Sequence, residues 1–222
     1  NNTSYGEAFE GIASREFTVK SLEHVVDRSV FNCVAKLCKL EYIMGQSFYK
    51  YYITKIEIEQ ILSCTRCLLT NRKDGYMQSF CASIERELTI DLYKLGAADS
   101  PEEISQVLSH TPYGKIYDRC LKNEQYNYLS FETAFDNYFS HCGKTFAQSA
   151  YHGKYQQAIY DCISHHNDIK FIEKLTRVIS HYNDNNLIRT IVHPDELTLF
   201  NEKQINSLVR CTTLSQVDEI LH

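Results

Sequence analysis

Chemistry requires particular side chains to be brought together, and four groupings in this sequence have the right types. Cys64 and Cys67 form the single C-x-x-C. Thiolates at that spacing bind zinc from knuckle loops, with a second pair to complete the site. Here both thiols lie in a strongly helical run, no second pair exists, and a spacing of three simply places them on one helical face, so packing is the expected role. His165-His166-Asn167-Asp168 and His193-Pro194-Asp195-Glu196 offer the imidazoles and carboxylates with which divalent metals activate water, as in a helical phosphohydrolase. That reading lacks a His-Asp doublet and needs ligands from several helices. His141-Cys142 has the types of a base and a nucleophile, yet adjacent residues on a helix point apart and no third group orients them. Gly143-Lys144-Thr145 imitates the end of a phosphate loop, without the glycine five residues earlier or the preceding strand. No catalytic, cofactor-binding or metal-binding residue is therefore expected, and no cofactor.

The elements that would position these groups are helical. Three prolines and eight glycines in 222 residues leave long stretches free of breakers, whereas a β-sandwich or barrel needs a turn signal every ~8–12 residues. The expected class is all-α. Ser100-Pro101-Glu102-Glu103 places a hydroxyl at N-cap, proline at the first helical position and glutamate at N3, which predicts a capping box and a helix from Pro101. Thr111-Pro112 predicts a second such start, and Asn201 with Gln204 and Thr213 with Gln216 predict two more caps. Two long helices are expected at about 46–70 and 154–181. In the first, Tyr51, Ile58, Ile61, Leu62, Thr65, Leu68 and Leu69 fall in a stripe roughly 120° wide. Asn71-Arg72-Lys73-Asp74-Gly75 and Asn183-Asp184-Asn185-Asn186 supply the polar stops.

Composition narrows the function classes. With 23 Lys+Arg against 28 Asp+Glu, no surplus of positive charge is available to displace counterions from a phosphate backbone, so nucleic acid is not an expected partner. No run of ~18 apolar residues is present to span a membrane, and NNTSYGEAF has neither the basic start nor the apolar stretch of a signal peptide. Nine cysteines, an odd number in a long chain, fit a reducing compartment and a role as small buried hydrophobes. Sixteen tyrosines with eleven phenylalanines and no tryptophan favour surfaces that are half apolar and half wet, or else simply cap a helical core with their hydroxyls in solvent.

The sequence repeats itself. Thr3-Ser4-Tyr5-Gly6-Glu7-Ala8-Phe9 recurs as Thr111-Pro112-Tyr113-Gly114-Lys115-Ile116-Tyr117, an offset of 108. Ser21-Leu22-Glu23 with Val26-Asp27 recurs as Ser130-Phe131-Glu132 with Phe135-Asp136 at 109. Ile58, Ile61, Thr65 and Arg66 match Ile169, Ile172, Thr176 and Arg177 at 111, and Leu95, Ser100, Glu103, Ile104 and Leu108 match Leu208, Thr213, Gln216, Val217 and Leu221 at 113. An offset that grows steadily is what small loop insertions produce in a duplicated unit. The expected organisation is two helical modules, 1–110, starting within a period, and 111–222. Within each long helix, Glu57 and Arg66, like Asp168 and Arg177, stand nine residues apart, which is half a turn beyond two full turns. They face opposite ways and cannot pair. Each arginine therefore either grips a carboxylate or carbonyl of an adjacent module with its fork, or is solvated.

Glu57-Ile58-Glu59-Gln60-Ile61 with Arg66, and Asp168-Ile169-Lys170-Phe171-Ile172 with Arg177, resemble a repeated acidic-aliphatic-x-Asn-aliphatic…Arg signature. It is that of the C-type subunit of archaeal and bacterial V/A-type rotary ATPases, whose vacuolar counterpart is the d-type subunit. Leu95…Ser100-Pro101-Glu102-Glu103-Ile104…Leu108…Thr111-Pro112-Tyr113 resembles the segment that closes each module there. The signature's Asn is Gln60 in one copy and Phe171 in the other. The resemblance covers most of the chain. It implies an all-helical, pseudo-threefold funnel of similar modules on the cytoplasmic face of the membrane rotor ring, peripheral to the membrane, which receives the foot of the central stalk. Its partners would be the central-stalk subunits and the rotor ring, and its role coupling for ion transport without catalysis. The chain holds about two periods, begins inside one and lacks an initiator methionine, so a further portion would complete the funnel. The competing readings are a generic helical-repeat adaptor, which also leaves one curved face for a partner, and the metal-dependent phosphohydrolase.

Overall fold

In the computed structural model, residues 19–43, 48–72, 76, 87–123, 126–182, 185–192 and 197–221 are described. They are all-α, and among the described residues there is no strand. The chain divides into two compact units, residues 1–124 and 125–222. Thr3–Phe9, the end of the polar stop at 73–75, the polar stop at 183–184 and His193–Glu196 lie outside the described residues.

In the first unit, α1 (Val19–Ile43) packs on α2 (Phe48–Leu69), and α2 packs in turn on α3 (Leu92–Ala97) and α4 (Pro101–Leu108), with α5 (Gly114–Leu121) seated on α4. The predicted stripe captures only one side of α2. Ile61, Leu62 and Thr65 are buried as expected, but Ile53 and Ile56 on another face join Phe31 of α1 in a core cluster, while Leu69 is exposed. A helix with neighbours on two sides needs apolar residues around more of its circumference than one stripe provides. Asn71 ends α2 in the left-handed region (φ 54°), with Arg72 N–H donating to Cys67 O at 2.8 Å and Asn71 N–H to Leu68 O at 3.1 Å, a Schellman closure of the terminal carbonyls.

The second unit holds α6 (Tyr128–Ala150) packed along α7 (Lys154–His181), then α8 (Asn185–Ile191), α9 (Glu202–Leu208) and α10 (Leu214–Leu221). Its core joins Leu129, Phe171, Leu175, Val178, Ile188, Leu208 and Val217. Capping chemistry falls largely where the side chains predict it. Asn201 and Gln204 form a reciprocal capping box, and Thr213 Oγ1 accepts from Gln216 N while Gln216 Oε1 accepts from Thr212 N. Ser100 Oγ accepts from Glu103 N, but the Glu103 carboxylate reaches one residue further back, to the N–H of Asp99. The Thr111-Pro112 start is displaced. Thr111 donates its hydroxyl to Leu108 O and accepts Gly114 N–H on its own carbonyl, so the chain turns before α5 begins at Gly114.

Candidate functional site

Among the described residues two acidic side chains lie almost wholly inside the protein, and they are the paired signature residues. Glu57 is 2% exposed and Asp168 1%. An ionised carboxylate tolerates burial only if its oxygens accept hydrogen bonds. Glu57 Oε1 accepts from the backbone N–H of Thr89 and from Thr89 Oγ1, and Glu57 Oε2 accepts from the hydroxyl of Tyr113. Asp168 Oδ1 accepts from Thr198 N at 3.0 Å, and Asp168 Oδ2 from Thr198 Oγ1 and Leu199 N, both at 3.1 Å. The device is the same in both units: a carboxylate in mid-helix pins a threonine in the segment leading to the next short helices. The acidic residues are 111 apart and the threonines 109 apart, so the path from pin to threonine is two residues shorter in the second unit.

The threonines are absent from the sequence expectations although a signal is present. Glu87-Leu88-Thr89 recurs as Glu196-Leu197-Thr198 at the same offset of 109. Two tyrosines complete the first node. Tyr113 is buried on Glu57, and Tyr117, fully buried one helical turn on, shares a 3.1 Å hydrogen bond with Thr65 Oγ1 of α2. Buried phenols placed this way tie α5 to α2 by directional bonds as well as by area.

The other signature positions divide between the copies. Ile58 and Ile61 are buried and Gln60 is half-buried, whereas Ile169 is exposed, Ile172 half-buried and Phe171 buried in the core against Phe200 at 6.2 Å between ring centres. Phe171 replaces a polar residue because its position faces the apolar cluster of the second unit. The arginines part company too. Arg177 Nη2 lies 2.9 Å from Glu132 Oε2, a clamp between α7 and α6 within one unit. Arg66 is exposed and has no carboxylate partner among the described residues. Glu132 matches Glu23 in the repeat, and Glu23 is exposed. So the fork ties α7 to α6 inside one unit in the second copy, whereas Arg66 stands exposed on α2.

The groupings with catalytic residue types are placed as follows. Cys64 is buried and its thiol faces Leu95 O at 3.2 Å. His165 and His166 are exposed, while Asp168 on the same helix turns inward with its oxygens committed to Thr198 and Leu199. Gly143-Lys144-Thr145 is helical, within α6. Among the described residues no group of three His, Cys, Asp or Glu side chains is placed to hold a metal. A cleft of about 30 Å³ in the second unit, room for a water or two, is lined by Thr133, Asp136, Asn167 and Lys174 among others. Lys174 is buried there, its ammonium 2.7 Å from Asp136 Oδ2.

The protein-family model described as ATP synthase (C/AC39) subunit matches residues 1–222. The chain belongs to the ATP synthase C/AC39 family. It is a component of the V/A-type rotary ATPases, as the Glu57…Arg66 and Asp168…Arg177 signatures imply, and a coupling role agrees with that membership. No curated protein and no solved structure matched the chain. Within this C/AC39 protein, Glu57 pins Thr89 inside the first unit and Asp168 pins Thr198 inside the second. Among the described residues no helix is long and apolar enough to cross a membrane.

Proposed function

We propose that this chain is a non-catalytic coupling component, a socket that seats the foot of the central stalk on the membrane rotor ring. It would work peripherally, on the cytoplasmic side, as part of a pseudo-threefold funnel. The observation that carries this reading is the doubled node, Glu57–Thr89 and Asp168–Thr198, in a chain of the C/AC39 family. A part that transmits torque must resist shear between its helices. Carboxylates buried with charge-assisted hydrogen bonds do this better than apolar contact alone, since they fix register as well as distance.

The reading needs no cofactor and no chemical step. The phosphohydrolase alternative would need the Asp168 oxygens for a metal, and they are taken up by Thr198 and Leu199. The modules 1–110 and 111–222 are proposed as the functional repeats, each contributing one sector of the socket. Affinity purification with the central-stalk subunits tests the proposal. The intact chain retains them, and a chain lacking one whole module loses them; stalk binding by a single module would overturn the socket.

A further inference from the structure

Three polar rungs cross the contact between α6 and α7. Arg177 Nη2 lies 2.9 Å from Glu132 Oε2, Lys174 Nζ lies 2.7 Å from Asp136 Oδ2, and Asn167 Nδ2 donates to Ser140 Oγ at 2.8 Å. The α6 members, Glu132, Asp136 and Ser140, follow one another at intervals of four and so share one face of that helix. The cleft of the second unit opens beside the middle rung, with Asp136 and Lys174 in its wall.

Two buried groups in that wall lack the partners their chemistry asks for. Lys174 is 4% exposed, and an ammonium carries three N–H donors, of which Asp136 Oδ2 engages one. Thr133, also 4% exposed, keeps its hydroxyl oxygen buried without a hydrogen-bond partner among the described residues. Polar groups withdrawn from bulk water in this way need a substitute for their hydration. Cavities that stay dry are apolar, whereas this one is walled by an ammonium, a hydroxyl and the amides of Asn137 and Asn167.

Charge and size decide the kind of guest. Lys174 is balanced by Asp136, and Lys170, at the same cleft, lies 3.1 Å from Glu173. With both cations paired, the cleft favours a neutral molecule that donates and accepts over an ion. Its volume of about 30 Å³ is above the roughly 10–15 Å³ that one water requires and leaves no room for a larger solute.

We propose that the cleft is an internal water site, in which one ordered water accepts from Lys174 Nζ and donates to Thr133 Oγ1. Asn137, on the same wall, supplies a third polar group. Because Thr133 belongs to α6 and Lys174 to α7, the water adds a fourth rung to the seam between these helices. This assignment does not rest on the stalk reading.

The sign of one substitution tests it. Thr133→Val nearly keeps the shape of the side chain and removes the hydroxyl. If that hydroxyl accepts from a bound water, the variant breaks the bond and the urea midpoint of the intact chain falls, which is the expected result. If the hydroxyl is an orphan in a dry cleft, valine relieves it. An unchanged or raised midpoint would therefore overturn the site. A crystal structure of the intact chain, with and without a bromide soak, gives an independent readout. A density peak is expected about 2.7–3.0 Å from both Lys174 Nζ and Thr133 Oγ1, carrying no anomalous signal after the soak. A cleft without that peak would overturn the assignment, and so would bromide signal within it, since the guest would then be an anion.

Discussion

Glu57 and Asp168 perform one task with side chains that differ by a methylene, and the difference explains their partners. The longer Glu57 holds Thr89 with one oxygen and reaches Tyr113 with the other; the shorter Asp168 commits both oxygens to Thr198 and Leu199. Removing such a carboxylate strands buried donors, which costs more than the bonds were worth net. Asp168→Ala should therefore lower stability by about 3 kcal/mol, read as a shift of the urea midpoint, and Asp168→Asn by less, because an amide still accepts at one oxygen. Cys120 gives a pH test. Burial pushes its thiol up from 9.0 to about 11, with nearby Arg119 opposing weakly. A group whose pKa is raised on folding contributes stability below its unfolded value and loses that contribution as pH rises through the folded value. The protein should thus lose stability between about pH 9 and 11, and Cys120→Ser should flatten that part of the profile. At pH 8 the exposed Cys33 and Cys162 should be alkylated well before Cys120.

At the scale of elements, close seating decides more than propensity. Replacing a helical glycine by alanine ordinarily stabilises by about 1 kcal/mol. Gly114→Ala should instead destabilise, by about 1–3 kcal/mol, because the added Cβ would meet the Leu108 carbonyl and must push α5 off α4. Thermal melting of the single variant checks the sign. In the second unit, Asp136→Ala would leave the Lys174 ammonium buried without its partner and should cost about 3 kcal/mol or more; the shift of its urea midpoint reads this. Helix boundaries and caps are legible in the sequence because they depend on neighbours three or four residues away: the Asn201–Gln204 box and the Thr213 cap both form. The long helices are legible for the same reason, their period being local. What is not legible depends on distant chain. Thr89 and Thr198 have their roles only because a carboxylate about thirty residues earlier meets them, and Ile53 and Ile56 are buried because α1 lies against a second face of α2. The fates of Arg66 and Arg177 cannot be told apart from sequence, since the matched glutamates Glu23 and Glu132 have the same type and differ only in where their helices lie.

For the whole molecule, each unit carries one such pin on its long helix, Glu57 on Thr89 in the first and Asp168 on Thr198 in the second. Membership of the C/AC39 family places that architecture in a V/A-type rotary ATPase. The candidate site is readable as a pair of signature residues, but which partners they hold is not. If the chain is the coupling socket, it should be dispensable for nucleotide hydrolysis and indispensable for its mechanical use. The most direct measurement is ATP-driven ion transport by the complex reconstituted in vesicles with and without this protein. The account predicts that omission abolishes transport while hydrolysis by the catalytic sector continues, and that adding the intact chain restores pumping. Undiminished transport in its absence would contradict the coupling role.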